Sequence, residues 1–417
     1  MEFNYTNINN FNSFVPQIVP NSIPKIINIS EEERSPKSLF FKIFDDKIID
    51  LLIKTSNNYM KKYIAEKYDI KEENISDIKF DHNHNNTYEQ IYIKLGGIDK
   101  FIIIKFLISL IFMGLHTLSN YENYWKDDFI NKNNLPKIIT KNQFKLICFA
   151  LHLPVNDDDF NEINNNDNEE ENENFGNNEE EMDDEIINEN DPRKKVFYYI
   201  NSIINNSQKY FILSRDLTID ESMLFFRGRC KMRFYMPHKQ SKWGFKIHCL
   251  VDSKTDYLYD AIIDPGKNNK NFIITNPEYS YTESIVLKLL SKHENKGYRI
   301  FFDSWYSSIS LINILTKKGF QAISTLRLNA KNFPDKTSLE NSSKKYGYNN
   351  GYHTIIQQYP IKKKNIFFIS NFYEPIEKIK EYYVKENRSV DKLNQNISYF
   401  NFERKVMKWW KKFFFGV

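Results

Sequence analysis

The spacing of apolar residues changes along this chain, from a helical period to a strand period. From residue 44 to residue 67 the apolar positions recur largely at helical spacing, which predicts a helix. A second helix is predicted over 101–115, where FIIIKFLISLIFMGL is apolar almost throughout and therefore buried. A third helix is expected to begin at Thr140, a good N-cap residue, and to continue to Leu151. The first part of the chain is therefore predicted to be mostly helical.

After residue 216 the pattern becomes that of strands. Leu217 and Ile219 alternate with the polar Thr218 and Asp220, and WGFKIHCLV further along alternates in the same way. The predicted elements, in order, are strands at 216–220, 243–251 and 257–263, a helix at 282–291, a strand at 298–303, a helix at 307–318 ended by Gly319, and a strand at 320–326. Three strands, a helix, a strand, a helix and a strand is the order of an RNase H-like α/β domain. The predicted fold is therefore α/β, with a mixed five-stranded sheet and an insertion, preceded by a mostly helical domain.

Charge is distributed unevenly over the 417 residues. The net charge is only +4, but residues 156–191 hold 17 of the 54 acidic residues and no Lys or Arg. The remainder of the chain therefore carries a net charge of +21. A basic body with an acidic insertion suits a protein that binds a polyanion, although a solubilising excess of Lys would give the same count. The insertion is interpreted as a solvated loop, with masking of a basic surface as the alternative.

The composition changes suggest domain boundaries. The predicted ranges are a disordered N-terminal tail at 1–45, a helical domain in two parts at 46–155 and 192–212, the acidic Asn-rich disordered insertion at 156–191, the α/β core in two parts at 213–329 and 381–417, and an insertion domain at 330–380.

Single sequence features bear on metal sites, disulfides, a signal peptide and a membrane span. The three cysteines are too widely spaced for a zinc ribbon or a disulfide framework, which favours a reducing compartment. His82 and His84 lie in a polar, Asn-rich loop and are interpreted as incidental rather than as metal ligands. The N-terminus lacks the features of a signal peptide. The apolar run at 101–118 is interrupted by Lys105, so a buried helix is favoured over a membrane span.

Three aspartates are candidates for a metal site. Asp220 and Asp303 come at or near the ends of predicted strands, and adjacent strands of one sheet would bring them together. Asp391 lies in SVDKLNQNISYF, whose apolar positions repeat at helical spacing, so that Asn394 follows on the same helix face. Three carboxylates from two strands and a helix can hold two Mg²⁺ ions for an in-line phosphoryl displacement.

One long stretch resembles the core of the piggyBac family of DNA transposases. The matching positions are Asp220, Glu221, Phe226, Gly228, Arg229, Tyr235, Pro237, Lys239, Lys242, Trp243, Gly244 and Lys246. The segments Asp303-Ser304-Trp305 and Val390-Asp391 resemble the contexts of that family's second and third catalytic aspartates. The resemblance covers 195–415 well and 100–155 weakly.

The resemblance implies a function and a set of site residues. Asp220, Asp303 and Asp391 would be catalytic, and with Asn394 they would bind two Mg²⁺ ions, for which Mn²⁺ could substitute. The expected reaction is cleavage and transfer of double-stranded DNA at transposon ends, through hairpin intermediates and with integration at TTAA. The helical domain would serve dimerisation or DNA binding, which implies a homodimer without a membrane partner. A nuclear location follows from the substrate.

Basic and aromatic residues near these positions would contact DNA. Cationic side chains would neutralise phosphates, and tryptophans would stack on unpaired bases or pack in the core. The candidates are Arg229, Lys239, Lys242, Trp243, Lys246, Trp305, Arg327, Arg404, Lys405 and Trp409.

Three departures from the family pattern keep other functions open. Asn394 stands where the family usually has a fourth Asp, and Arg388-Ser389 replace paired glycines. The family's cysteine-rich zinc-binding tail does not follow Val417 in this sequence, from which either a truncated gene copy or a fragment is expected. The alternative hypotheses are a domesticated or decayed DNA-binding protein without catalytic activity, and an RNase H-like nuclease acting on another nucleic acid.

Overall fold

A computed structural model gives the fold of most of the chain. It describes residues 4–5, 13–20, 23–80, 87–118, 120–126, 133–153, 188, 190–237, 239, 241–274, 276–333, 347–349, 354–361, 364–372, 375–400 and 408–416. The described strands are β1 (Asn4–Tyr5), β2 (Lys25–Ile26), β3 (Phe211–Ile212), β4 (Asp216–Phe225), β5 (Arg233–Tyr235), β6 (Trp243–Asp252), β7 (Tyr257–Ile263), β8 (Arg299–Phe302), β9 (Gln321–Leu326), β10 (Gly347–Asn349), β11 (Ile355–Ile361) and β12 (Lys364–Ser370). The described α-helices are α1 (Pro36–Ile43), α2 (Asp46–Tyr68), α3 (Tyr88–Leu95), α4 (Lys100–Leu115), α5 (Leu135–Ile138), α6 (Lys141–Ala150), α7 (Lys194–Lys209), α8 (Tyr281–Leu290), α9 (Ile309–Lys317), α10 (Ile376–Glu386), α11 (Ser389–Phe400) and α12 (Trp409–Gly416).

The chain divides into a helical unit and an α/β unit. The helical unit comprises 30–206 and 397–417, and the α/β unit comprises 1–29 and 207–396. In the helical unit, α2, α4 and α6 bury apolar side chains such as Leu52, Phe106 and Phe144 completely. Thr140 caps α6 with a capping box, as the sequence predicts. No described helix combines the length and the apolar character that crossing a membrane requires.

A mixed sheet forms the centre of the α/β unit. Its strands follow the order β1-β10-β11-β12-β9-β8-β4-β6-β5, and β7 pairs with the later part of β6. β8 lies parallel to both β4 and β9, whereas β6 is antiparallel to β4. The segment β7-β6-β4-β8-β9, with α8 and α9 in the connections, is the arrangement of an RNase H-like domain. This confirms the predicted fold class.

Both faces of the central strands are buried, which explains their continuous apolar runs. In β8, Ile300 and Phe302 pack with α8 and α9 on one face of the sheet. Phe301 faces the other way and packs with Ile379 of α10. Val390 of α11 packs beside Cys249 of β6 on that second face. Residues that alternate along β4 and β8 therefore point to two different environments.

The element bounds agree with the sequence prediction within a few residues in the core, except that β4 continues to Phe225. Its pairing with β6 extends that far, so Asp220 lies within the strand and not at its end. Gly319 follows α9 with a φ of 80°, the left-handed conformation expected after a helix end. Residues 36–43, within the predicted tail, form the helix α1, which Ser35 caps. Strands β11 and β12, within the predicted insertion domain, extend the core sheet beside β9. The predicted acidic insertion lies almost entirely outside the described residues, as do His82 and His84.

Candidate active site

Asp220 and Asp303 come together through the register of two parallel strands. Ile219 of β4 is level with Phe302 of β8, so the next residue on each chain is an aspartate. Thr218 and Ser222 both hydrogen-bond residues of the α10–α11 region, which places Asp220, between them, on that same face. Asp303 lies two residues after Phe301, so its side chain points to the same face of the sheet as that of Phe301. The sequence therefore delivers both carboxylates to one edge and one face of the sheet.

The Asp303 carboxylate is oriented by its own loop. Its Oδ1 accepts a hydrogen bond of 2.8 Å from the backbone N–H of Trp305. The Asp303 carbonyl accepts one of 3.3 Å from the backbone N–H of Tyr306, and another of 3.3 Å from the hydroxyl of Ser324. Arg327 donates to the Ser304 hydroxyl at 3.2 Å, and its positive charge favours the ionised form of Asp303. These contacts fix the loop that follows β8.

Burial makes ionisation of the two aspartates costly. It raises the pKa of Asp303, and it raises that of Asp220 together with the nearby Glu221 carboxylate. Both aspartates also act electrostatically on the hydroxyl of Tyr383 in α10. A divalent cation would relieve the repulsion between such carboxylates.

Lys239 is one of the cations that act on these carboxylates. Its Nζ lies 3.3 Å from Oε1 of Glu221 and donates to the Glu221 carbonyl at 3.3 Å. Burial lowers the pKa of Lys239, but Asp220, Glu221 and, more weakly, Asp391 outweigh this, so the pKa is raised. Lys239, predicted to contact DNA, thus acts on two of the candidate aspartates, Asp220 and Asp391, and on Glu221.

Asp391 and Asn394 lie on α11, on the same side of the sheet as Asp220. The Asn394 Oδ1 accepts a hydrogen bond of 2.5 Å from the Ser222 hydroxyl, two residues after Asp220. Asp391 is exposed, one helical turn earlier. Among the residues that the structure describes, no three His, Cys, Asp or Glu side chains are gathered closely enough to hold a metal ion. Asp220 and Asp303 follow level residues of neighbouring strands, whereas Asp391 lies on α11.

The residues at this edge nevertheless fit a divalent cation of the Mg²⁺ type. Their ligand atoms are hard carboxylate and amide oxygens, and Mg²⁺ binds through one or two protein carboxylates with waters and phosphates completing its shell. Within the described part of the chain, the buried Oε2 of Glu221 has no hydrogen-bond partner, which adds a further uncompensated oxygen.

Two of the predicted DNA contacts are placed beside Asp303. Lys246 is buried, with its Nζ only 3.4 Å from the centre of the Trp305 ring. Trp305 itself is half-buried and stacks on His248 at 5.5 Å. Contact of Lys246 or Trp305 with DNA stays a prediction, since both side chains already have partners within the protein.

A basic and aromatic cavity of about 590 Å³ lies where β4 ends and where β5 and β6 begin. It is lined by Phe225, Arg227, Arg233, Lys242 and Trp243. The Arg233 guanidinium lies 4.5 Å from the Trp243 ring centre, and that of Arg227 lies 5.3 Å from the Phe225 ring centre. Sequence analysis identified Lys242 and Trp243 but missed the others, because they gain meaning only when the strands bring them together.

The other predicted DNA contacts are spread more widely. Arg229 and Arg327 are exposed in the α/β unit. Trp409 belongs to the helical unit, where its ring contacts Phe413 edge to face at 6.1 Å. Arg404 and Lys405 lie outside the described residues.

Sequence analysis also missed a buried group of polar residues beneath Asp303. His248 of β6 contacts the Tyr306 hydroxyl through Nδ1 at 2.7 Å and the Asp264 carboxylate through Nε2 at 3.3 Å. The available signal was the position of Lys246 and His248, two residues apart on one face of a buried strand.

Comparison with known proteins identifies the family and the fold of the chain. The family described as Transposase IS4 matches residues 35–417. The human piggyBac transposable element-derived protein 2 is 30% identical over 127 residues, which cover 29% of this chain and only 20% of that protein. A cryo-EM structure of a piggyBac transposase synaptic complex with hairpin DNA shares the fold, with a TM-score of 0.72 at 20% identity. It covers 95% of this chain and 74% of that one. Because the family match extends over most of the sequence, the chain belongs to the Transposase IS4 family.

Proposed function

We propose that this protein cleaves and transfers strands of double-stranded DNA in a reaction that depends on a divalent metal. The observation that carries the proposal is the level placement of Asp220 and Asp303 on two parallel strands. A carboxylate within one strand and another directly after the neighbouring parallel strand are a suitable ligand set for cations that must also bind a phosphate. The family supports the same reaction class.

Asp220 and Asp303 would hold the metal, with Asp391 and Asn394 approaching from α11. Two Mg²⁺ ions, or Mn²⁺ in their place, would stabilise the charge that develops on the attacking and leaving oxygens. The loop after Asp303 would keep its carboxylate in position through the backbone N–H of Trp305. Lys239 would neutralise the excess negative charge when the metal is not bound.

The expected reaction has two phosphoryl displacements. Water attacks a phosphorus at the transposon end, the bond to the 3′ oxygen breaks, and a free 3′-OH and a 5′-phosphate result. The 3′-OH then attacks a phosphorus of the opposite strand and displaces its 3′ oxygen, which closes a hairpin. Hairpin ends and TTAA targets are proposed from the resemblance to piggyBac proteins, and the related complex is described as containing hairpin DNA.

DNA would extend from the carboxylate edge towards the basic cavity. Exposed Arg229, Lys242 and Arg327 are available to phosphates, and the exposed Trp243 ring offers a stacking surface to an unpaired base. The Arg233 guanidinium is fixed by hydrogen bonds of 2.8 Å to the carbonyls of Arg227 and Gly228, so the cavity is preorganised. A homodimer and a nuclear location remain part of the proposal, since both follow from transposition of genomic DNA.

A second candidate is a transposase-derived protein that binds DNA without cleaving it. The exposed position of Asp391 and the amide of Asn394 favour it, because the described residues include no group of three His, Cys, Asp or Glu side chains that could hold a metal ion. An RNase H-like nuclease that acts on another nucleic acid would share the carboxylates, but it would not account for the KWGxK segment, which resembles that of the transposases.

The test is cleavage of a labelled duplex that carries the terminal sequences flanking this gene next to TTAA. Wild-type protein and Asp303→Ala are compared with Mg²⁺, with Mn²⁺ and with EDTA. Metal-dependent nicks and hairpins that disappear in Asp303→Ala are expected. DNA binding by both proteins without any cleavage would refute the enzymatic proposal and favour the non-catalytic one. Cleavage of RNA or of unrelated DNA alone would favour the nuclease.

A further inference from the structure

A chain of three buried polar side chains lies directly beneath the loop that carries Asp303. It runs from the Tyr306 hydroxyl to Nδ1 of His248 over 2.7 Å, and from Nε2 of His248 to Oδ2 of Asp264 over 3.3 Å. The other carboxylate oxygen of Asp264 accepts a 2.9 Å hydrogen bond from the backbone N–H of Gly266. Tyr306 and His248 are fully buried, and Asp264 is only 2% exposed.

The chemistry of these groups fixes the direction of the hydrogen bonds. An ionised Asp264 can only accept, so Nε2 of His248 carries the proton. The remaining nitrogen, Nδ1, then accepts from the Tyr306 hydroxyl. Burial lowers the pKa of His248, which agrees with a neutral ring that has one donor and one acceptor. Each member of the chain therefore has a defined orientation.

This chain is joined to Asp303 through the backbone and through Trp305. The N–H of Tyr306 and the N–H of Trp305 both donate to Asp303, to its carbonyl and its carboxylate respectively. The Trp305 ring stacks on His248 with an angle of 11° between the planes, and the Lys246 ammonium also lies against that ring. Two consecutive residues of the Asp303 loop are thus attached to the same histidine.

A purely structural core would not need these groups. Apolar side chains of similar volume pack without the cost of burying a carboxylate, a hydroxyl and an imidazole, so a fully connected polar chain here selects one particular geometry. The position that it fixes is the loop whose first residue is Asp303.

We propose that Tyr306, His248 and Asp264 are positioning residues that hold the Asp303 carboxylate level with Asp220 and thereby set the affinity of this edge for divalent cations. The inference rests on the proposed function, because it assumes that Asp303 binds the metal. None of the three residues touches the DNA or the reacting atoms.

The test measures cation binding directly, with Tb³⁺ as the probe. Tb³⁺ binds carboxylate sites and its luminescence is sensitised by a nearby tryptophan, here Trp305, so displacement by Mg²⁺ reports the affinity of this site. Tyr306→Phe removes one hydroxyl and should weaken Tb³⁺ and Mg²⁺ binding by about tenfold, the lower end of the effect of groups that orient metal ligands. Asp264→Asn should weaken binding in the same direction, which serves if Tyr306→Phe does not fold.

Tyr124→Phe is the matched control. Its hydroxyl is also buried and hydrogen-bonded, accepting from the Leu118 N–H at 3.0 Å and donating to backbone carbonyls, but it belongs to the helical unit. It should lower the melting temperature without changing the Tb³⁺ or Mg²⁺ midpoint. A wild-type midpoint in Tyr306→Phe and Asp264→Asn would overturn the inference alone. Absence of Tb³⁺ binding in wild type, or binding unaffected by Asp303→Asn, would overturn the metal site and this inference with it.

Discussion

Asp220 and Asp303 are separated by more than eighty residues of sequence, yet they occupy the same level of neighbouring parallel strands, one residue beyond the pair Ile219 and Phe302. Parallel pairing of β4 with β8 forces this placement, since a shift of one residue would turn one carboxylate to the opposite face of the sheet. Both aspartates are half-buried, and burial raises the pKa of each. A bound cation, as proposed, would offset this cost of ionisation.

The first prediction concerns the charge of Asp303. Asp303→Asn keeps the shape of the side chain and an oxygen for the Trp305 N–H but removes the negative charge. Strand cleavage should fall on the order of 10³-fold, the scale seen when one member of a catalytic group is removed. The measurement is the single-turnover rate on labelled transposon-end duplex.

A matched substitution tests whether the loss of cleavage depends on where the negative charge is removed. Glu278→Gln makes the same carboxylate-to-amide change in an exposed loop of the α/β unit. It should cleave at the wild-type rate, and both variants should bind the duplex as wild type does. Equal rates for Asp303→Asn and wild type would remove Asp303 from the reaction.

The second prediction is a pH dependence of stability in the metal-free protein. The pKa of Asp220 is raised from 3.8 to about 8 by burial and by the Glu221 carboxylate. The folded state therefore favours the protonated form, so the stability that Asp220 contributes is complete below about pH 4 and is lost as the pH rises through 8. With EDTA present, the melting temperature should decline across this window. Saturating Mg²⁺ should reduce the decline, because it binds the ionised carboxylates.

Asp220→Asn removes the titration and should flatten the curve between pH 4 and 8. Glu221 does not reverse the sign, because its pKa is lowered and its contribution is lost only as the pH falls. Asp303, with its raised pKa, adds a decline of the same sign that persists in Asp220→Asn. If the melting temperature changed with pH in the same way for wild type and Asp220→Asn, the pKa of Asp220 would not be raised in the folded protein.

The fold could be predicted from the sequence because the core strands have distinctive apolar patterns. Tyr298 to Asp303 is apolar on both faces, and Gly319 and Thr140 mark helix ends through local geometry. Sequence reasoning also placed Asp220 and Asp303 on adjacent strands, although β4 continues to Phe225, so Asp220 lies within its strand and not at its end. Local patterns carry this information because they depend on residues a few positions apart.

Other parts of the site depend on contacts that no local pattern encodes. His248 reads as one polar residue in an apolar strand, and its partners Asp264 and Tyr306 are 16 and 58 residues away. Lys239 looks like a phosphate contact from its sequence context, whereas its closest partner is Glu221. The extension of the sheet by β11 and β12 was also not predicted, because edge pairing between distant strands depends on the tertiary fold.

The third prediction concerns the ion pair between Lys239 and Glu221. Glu221 is buried and its Oε1 lies 3.3 Å from the Lys239 Nζ, so Lys239→Met should leave an uncompensated charge and destabilise the metal-free protein. Because about a third of the Lys239 side chain is exposed, solvent reduces the effect, and we expect a loss of roughly 1–2 kcal/mol. Urea unfolding in EDTA measures it.

A double-mutant cycle isolates this pair from its surroundings. Glu221→Gln removes the charge that Lys239 balances, so the double variant should be more stable than the sum of the single effects predicts. A coupling energy of about 1 kcal/mol is expected. Strict additivity would mean that Lys239 acts on Asp220 and Asp391 rather than on Glu221.

The last prediction distinguishes charge from stacking in the basic cavity. Lys242 is exposed and would contribute one phosphate contact, so Lys242→Gln should reduce the slope of log K against log salt by about 1. Trp243→Ala should instead weaken binding of single-stranded DNA by about 1–3 kcal/mol with the slope unchanged, because stacking releases no counterions. Lys317→Gln, on the exposed side of α9, is the control for loss of one surface charge and should leave both quantities as in wild type. Fluorescence anisotropy at several salt concentrations measures both quantities. If Lys242→Gln and Lys317→Gln changed the slope equally, the DNA would be responding to net charge rather than to this cavity.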